Sequence, residues 1–416
     1  MESEVQKREG DKGRAVRKRG TENDEETIYA CWLDRIPSIG MVTAKRLLDE
    51  CGSAQRLYRL SQKEAEALAE RKLLTAAQAD KLREYRTDLR YEPHKLYEEL
   101  TAQGMRAVRY GEDAYPKRLY HIPDPPRILY IKGEIPDETR PGVSIVGARL
   151  CSDYGRYTAH KFAYALAAAG VQIISGMALG IDGVSHKAAL DAGGRTFAVL
   201  GCGADICYPE QNRDIYEQIQ TQGGVLSEYP PGTAPCAGLF PRRNRIISGL
   251  AEILLVIEAR KKSGTLITVD AALEQGREVY ALPGRVTDAL SSGCNRLIAQ
   301  GAGIATSPEE LLEALQGLWG CSSASNAGSL HGEEKRCGEE PFHALETARK
   351  DAQNEAAHET KTKSLILTLL TEEGQTFDTL MSRSGLNPSE CSGALMGLCI
   401  SGAAVLRQGR YYRGGM

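Results

Sequence analysis

Four short clusters combine glycine, hydroxyl and cationic residues in the manner of anion-binding turns. They are Gly147-Ala148-Arg149; the run Ser175 to Asp182, with Gly176 and Gly180; Phe240-Pro241-Arg242-Arg243-Asn244-Arg245; and Lys261-Lys262-Ser263-Gly264-Thr265. Glycine lets backbone N–H groups approach an anion closely, hydroxyls add neutral donors, and guanidinium or ammonium groups add charge. Singly, each cluster reads equally well as an ordinary turn or a solvated cationic face. At the ends of neighbouring strands, they predict a rim of cations and helix N-termini suited to a phosphate chain. Asp182 has two readings, a lone acid or a residue that orders its turn by capping the helix beginning at Gly183.

The elements that must position these clusters are legible around residues 143–192. Val143 to Val146 is a short apolar, β-branched run ending at Gly147, and Val171 to Ile174 repeats it. Between them, Ser152 and Asp153 stand at an N-cap position and Tyr154 to Ala169 is an alanine-rich helical pattern stopped by Gly170. The turn 175–183 hands over to a second helix ending near Ala192. Further strands are expected at 196–200, 225–227, 253–257 and 279–282, and helices at 214–221, 265–275, 295–300 and 308–315. Strands alternating with helices mean an α/β, doubly wound, mainly parallel sheet. The first turn lacks G-x-G-x-x-G, because Arg149 stands where a pyrophosphate would need glycine, so no nicotinamide or flavin cofactor is expected.

Flanking segments differ in texture. Residues 1–26 are charged with little to bury and are expected to be a disordered tail, its basic run Arg14 to Arg19 solvated or touching nucleic acid. Residues 27–90 are helical, and Ile36-Pro37-Ser38-Ile39-Gly40 before the helix 42–49 suggests either a helix-hairpin-helix that meets a DNA phosphate or a structural corner. Residues 91–142 read as a proline-rich connecting layer with one edge strand at 128–131, which completes a core domain at 91–316. Residues 317–361 read as a linker. Residues 362–416 show three helices and a glycine-turned ribbon, a winged-helix-like pattern whose role is DNA contact by Arg407, Arg410 and Arg413 or protein docking.

The chain has 416 residues, 42% of them apolar, with 52 basic and 55 acidic side chains, so any polyanion site is a local patch. Its eleven cysteines are scattered without a C-x-x-C pair, which argues against a zinc site or disulfide framework and fits a reducing cytoplasm. No leader or membrane-spanning run is evident. Nor is there a P-loop, a G-x-S-x-G elbow or an H-E-x-x-H motif, so no catalytic residue and no metal ligand is expected.

The segments SIVGAR, SGMALGID, GCGADICYP, LSEYPPGT, FPRRNRIISGLA, SGTLITVDAALEQGREVYALPG and GCNRLIAQGA together resemble the DNA-processing protein A family, also called Smf. The match is dense over residues 110–315. The resemblance implies an extended Rossmann-like core that forms a homodimer, binds single-stranded DNA without sequence preference, and protects it and loads the RecA recombinase during natural transformation, without catalysis. It further implies that Arg149 and Arg245 are phosphate ligands, that Ser175, Gly176 and Gly180 make close backbone contacts, that Phe240 stacks or lines a pocket, and that Ser263 to Thr265 line the same groove. Cys294 to Gly303, with Leu297, is a guess for the dimer surface. An alternative from another class is a nucleoside-monophosphate phosphoribohydrolase, whose P-G-G-x-G-T-x-x-E signature would require a glutamate where Thr268 stands. A third is a winged-helix regulator with a sensor core.

Overall fold

The computed structural model describes residues 25–326, 361–371, 374–400, 403–407 and 410–414. The basic run at 14–19 and most of the expected linker lie outside the described residues. The chain divides into two compact units, Met1–Pro341 and Phe342–Met416.

The first unit begins with a helical layer: α1 (25–34), α2 (Met41–Cys51), α3 (Ala54–Arg59), α4 (Gln62–Glu70), α5 (Ala76–Thr87) and α6 (Pro93–Ala102). Hydroxyl residues start these helices as local chemistry dictates. Ser53, Ser61 and Thr75 each accept a backbone N–H three residues on, and Glu64 and Gln78 close two full capping boxes. Helix α6 lies in the segment expected to be a connecting layer, and Pro93 is tolerated there because a first-turn N–H has no intrahelical partner. The layer shares one core with the sheet: Trp32, Leu47, Leu57 and Leu82 belong to the same apolar cluster as Tyr130, Leu200 and Tyr216. Asp34 fastens the junction, accepting from Arg127 at 2.7 Å and from the Tyr130 hydroxyl at 3.1 Å.

Nine strands form the central sheet: β1 (Met105–Arg109), β2 (Ile128–Gly133), β3 (Gly142–Val146), β4 (Gln172–Ser175), β5 (Thr196–Leu200), β6 (Gly223–Ser227), β7 (Ile253–Val256), β8 (Glu278–Ala281) and β9 (Gly303–Ile304). Their spatial order is 1-2-6-5-4-3-7-8-9, parallel from β6 to β9, with β1 and β2 added antiparallel. Between them run α7 (Asp153–Ala168), α8 (Ile181–Asp191), α9 (Arg213–Ile219), α10 (Leu239–Gly249), α11 (Thr265–Glu274), α12 (Ser292–Ala299) and α13 (Pro308–Asn326). This is the extended Rossmann-like sheet expected, with differences at its margin. The strand at 128–131, expected at the edge, is paired on both sides, and the edge belongs to β1. Leu297, in the segment guessed to be the dimer surface, is 8% exposed and packs into the core, while Arg296, Ala299 and Gln300 of the same segment are exposed.

Every position of β3 is buried, and apolar clusters cover both faces of the sheet, one with α10 and α11, the other with α7 and α8. The strand order reverses at β3, which has β4 on one side and β7 on the other. Outside the carboxyl ends of β3 and β7 lies the topological switch point, where loops splay apart and open sheets bind ligands.

The second unit contains α14 (361–369), α15 (Phe377–Ser384), α16 (Pro388–Ile400) and the antiparallel ribbon of β10 (Ala404–Arg407) and β11 (Arg410–Arg413). Its core is built from Ile366, Leu380, Leu395 and Ala404, with Thr376 capping α15 and Gly385 ending it in the left-handed conformation.

Candidate nucleic-acid interface

A cavity of about 590 Å³ opens at the switch point, lined by the β3 turn Gly147–Arg149, by Asp182, Tyr208, Phe240, Arg243 and Asn244, and by Ser263–Thr265, Ile267 and Thr268. The clusters found in the sequence thus converge, though in unequal roles.

Beneath the cavity lies a polar floor. The Ser175 hydroxyl donates to the Ile145 carbonyl of the neighbouring strand at 2.6 Å, and Gly176 is buried between Arg243 and Asp182. Gly180 holds φ at +77°, and a β-carbon there would strike the carbonyls of Ala148 and Arg149, so only glycine lets the two turns meet. Arg243 is 5% exposed; its Nη1 donates to the Gly176 carbonyl at 2.9 Å and to that of Val199, joining α10 to the ends of β4 and β5. Burial pushes the Arg243 guanidinium down to about 10, opposed by the Asp182 charge. The Asp182 carboxylate accepts from the N–H of Gly176 at 3.2 Å and of Ala178 at 3.3 Å, so it orders its turn from within α8 rather than as an N-cap, a position held by Gly180. Burial raises the pKa of Asp182, with Arg243 and the two N–H donors acting the other way. His186, fully buried on α8, meets the Thr196 hydroxyl at 2.7 Å through Nδ1, while Nε2 has no partner, and burial lowers its pKa to about 3. Ser175, Gly176, Gly180 and Arg243, expected to touch nucleic acid, are therefore committed to holding the turns together.

Which helix N-termini are open to an anion follows from the same bookkeeping. At α7, Ser152 is the expected N-cap, accepting from Gly155 N–H, but its own N–H and hydroxyl donate to Glu258, a buried carboxylate from the end of β7. Gly155 leaves the room that carboxylate needs. At α8 the first turn carries Asp182. Two of the anion-seeking N-termini thus have one of the protein's own carboxylates beside them. By contrast, α10 and α11 begin at Gly238 and Gly264 with no acidic residue in the first turn, and their first N–H groups donate only to neutral oxygens, that of Leu239 to the Cys236 carbonyl at 2.9 Å and that of Thr265 to the Ser263 hydroxyl at 3.2 Å. Both open onto the cavity through Phe240, Pro241, Gly264 and Thr265.

The rim completes the geometry. Arg149 is exposed, and its guanidinium carbon stands 5.7 Å from the centroid of the Phe240 ring. Phe240 stacks on Tyr208, whose ring lies 5.7 Å away at 25° and is 43% exposed. Tyr208 was not among the expected site residues; an aromatic beside a proline in the loop after β5 was its only signal. Thr265 donates to the Gly147 carbonyl at 3.2 Å and accepts from Ser263 at 3.0 Å, drawing the first and fourth clusters together across the switch point. Arg242, Lys261 and Lys262 are exposed outside the cavity lining, and Asn244 accepts from Arg243 Nε at 3.2 Å. Arg245, expected to be a phosphate ligand, instead forms ion pairs with Glu228 at 2.6 Å and Asp124 at 3.2 Å. Among the described residues, no group of three or more His, Cys, Asp or Glu could hold a metal ion, and no helix is long and apolar enough to cross a membrane.

Comparisons with known proteins agree with this architecture. The family model described as DNA recombination-mediator protein A matches residues 106–316. Protein Smf of Synechocystis is 37% identical over 70% of this chain and 73% of its own length, and DNA processing protein DprA of Streptococcus pneumoniae is 44% identical over 48% and 71%. The X-ray structure of DNA processing protein A from Streptococcus pneumoniae superposes with a TM-score of 0.58 at 33% identity, covering 69% of this chain and 97% of that one. The chain belongs to the DNA recombination-mediator protein A family, the DprA/Smf proteins, and shares their role in DNA processing.

Proposed function

We propose that the switch-point cavity binds single-stranded DNA without sequence preference. Arg149 and the N-termini of α10 and α11 hold phosphate oxygens, Phe240 and Tyr208 offer a ring face to a base, and Arg242, Lys261 and Lys262 add charge along the rim. The observation that carries this reading is the convergence of two helix N-termini without an acidic first turn, a guanidinium and a stacked aromatic pair on one hollow. Phosphate contacts supply affinity and stacking tolerates any base, at about 1–3 kcal/mol per base. Ser175, Gly176, Gly180 and Arg243 act beneath this site by fixing its turns.

In the same reading the chain is a cytoplasmic, non-enzymatic mediator, working as a homodimer that protects incoming single strands and hands them to RecA during natural transformation. The second unit acts as a winged-helix-like docking or DNA-binding module, and the corner at residues 36–40 as an accessory phosphate contact. The test is a salt titration of binding to an oligothymidylate beside a duplex of equal length. Single-strand-selective binding with a steep salt slope is expected. Equal affinity for both, or none, sinks the reading, and nucleoside monophosphates become the ligands to screen.

A further inference from the structure

A second hollow of about 810 Å³ adjoins the cavity, and Arg149 lines both. It is an open groove between α7 and the start of α8, walled by Leu150, Arg156, Tyr157 and His160 on one side and by Leu179 and Lys187 on the other. Two properties set it apart from an ordinary solvated surface. Large apolar groups stand uncovered in it, Leu150 at 84% exposure and Tyr157 at 67%. Cations interleave with them: Arg149 and Arg156, with Lys187 partly offset by Asp191 at 2.6 Å, against Asp153 as the acid among the lining residues. Interleaved aromatic and cationic side chains along a groove suit a polyanion whose bases are unpaired, because each base has a ring face to stack and each phosphate a charge to meet.

We propose that a strand held in the switch-point cavity leaves it past Arg149 and runs along this α7–α8 groove, with Tyr157 stacking a base and Arg156 meeting the backbone. The inference rests on the reading of the cavity given under Proposed function, and deepens it by assigning the strand's direction of exit and a second binding segment. From Asp153 to His160 the helix advances roughly 10 Å at 1.5 Å per residue, the span of about three stacked nucleotides. The groove is continuous with the cavity and complementary in charge to the strand, which favours nucleic acid over a protein segment as its occupant.

The experiment is a length series of oligothymidylates, from about three to about twelve nucleotides, titrated against the full chain and against Arg156→Ala, Tyr157→Ala, Arg149→Ala and the control Lys161→Ala. Lys161 is exposed on α7 outside the groove. The unaltered protein should gain affinity as the strand outgrows the cavity. Arg156→Ala and Tyr157→Ala should bind the shortest strands normally and lose about tenfold on the longest, whereas Arg149→Ala loses affinity at every length and Lys161→Ala at none. If the unaltered protein binds but both groove variants follow its length dependence, the groove assignment is overturned and the cavity stands. If the shortest strands bind equally well to the Arg149 variant, the cavity reading falls and the groove with it. Circular dichroism of each variant checks the fold; all the replaced side chains are exposed.

Discussion

The floor and the rim of the cavity are built from the same residue types and behave oppositely. Arg242, Arg243 and Arg245 fall within four residues of one helix, yet a turn of about 100° per residue sends them to three destinations. Arg242 is exposed, Arg243 is buried against two strand-end carbonyls, and Arg245 is paired with Glu228 and Asp124. Carboxylates divide in the same way: Glu258 meets the N-terminus of α7 and Asp182 lies in the first turn of α8, whereas the first turns of α10 and α11 carry no acid. The floor satisfies its polar groups internally and so becomes rigid. The rim keeps the cations Arg149, Arg242, Lys261 and Lys262 exposed and so remains available for a ligand. A cationic cluster in a sequence is a binding site only where folding has left its charge without an internal partner.

That contrast breaks most sharply at Arg243. Replacing it by alanine leaves the Gly176 and Val199 carbonyls without their donor and removes the cation that faces buried Asp182, so stability should fall by roughly 3 kcal/mol. Chemical denaturation measures the loss, and a change below about 0.5 kcal/mol would show that the floor is not held as described. Next in size is a pH effect from His186, whose pKa falls from 6.5 to about 3 on folding. Between these values the unfolded chain takes up the proton and the folded protein does not. Stability from this group is therefore complete above about pH 6.5 and is lost as pH falls, with a slope of about 1.4 kcal/mol per unit. Asp182, raised by burial, titrates in the opposite sense, so the comparison needs a variant. His186→Asn keeps an N–H donor for Thr196 but cannot protonate, and it should lose stability less steeply than the parent on acidification.

Much of this arrangement was legible in advance, and the gaps have physical causes. The strands β3, β4, β5 and β7 stood out because buried parallel strands are short apolar runs between glycine turns. Ser152 was legible as an N-cap from its position before a helical run. Helix α10 was missed because its buried face reads Arg243, Ile246 and Ile247, helical spacing with an arginine in an apolar place. That exception was itself the signal that Arg243 is buried. The pairing of Glu258 with Ser152 could not be read, because it spans residues far apart in the chain and depends on which strands are neighbours. For the same reason Arg245 looked free: Glu228 and Asp124 come from other elements, and no local pattern joins them to it.

The rim offers the smaller effects, and they sharpen the contrast by leaving stability untouched. Arg149→Ala should bind a single strand about tenfold more weakly, equally on different sequences, with the salt slope reduced by about 0.7, the change for one phosphate contact on a single strand. Its denaturation midpoint should match the parent's, since an exposed side chain over one ring contributes little to folding.

Lys262→Ala is the smallest perturbation and the most discriminating. The side chain is exposed just before the start of α11, outside the cavity lining, so it can meet a strand only as a screened point charge. Its removal should cost about two- to threefold at low salt, fading as salt rises, with no change in preference between thymidylate and other sequences. A loss that persists at high salt would mean that Lys262 makes a desolvated contact, and the boundary between cavity and rim would then move outward to include it.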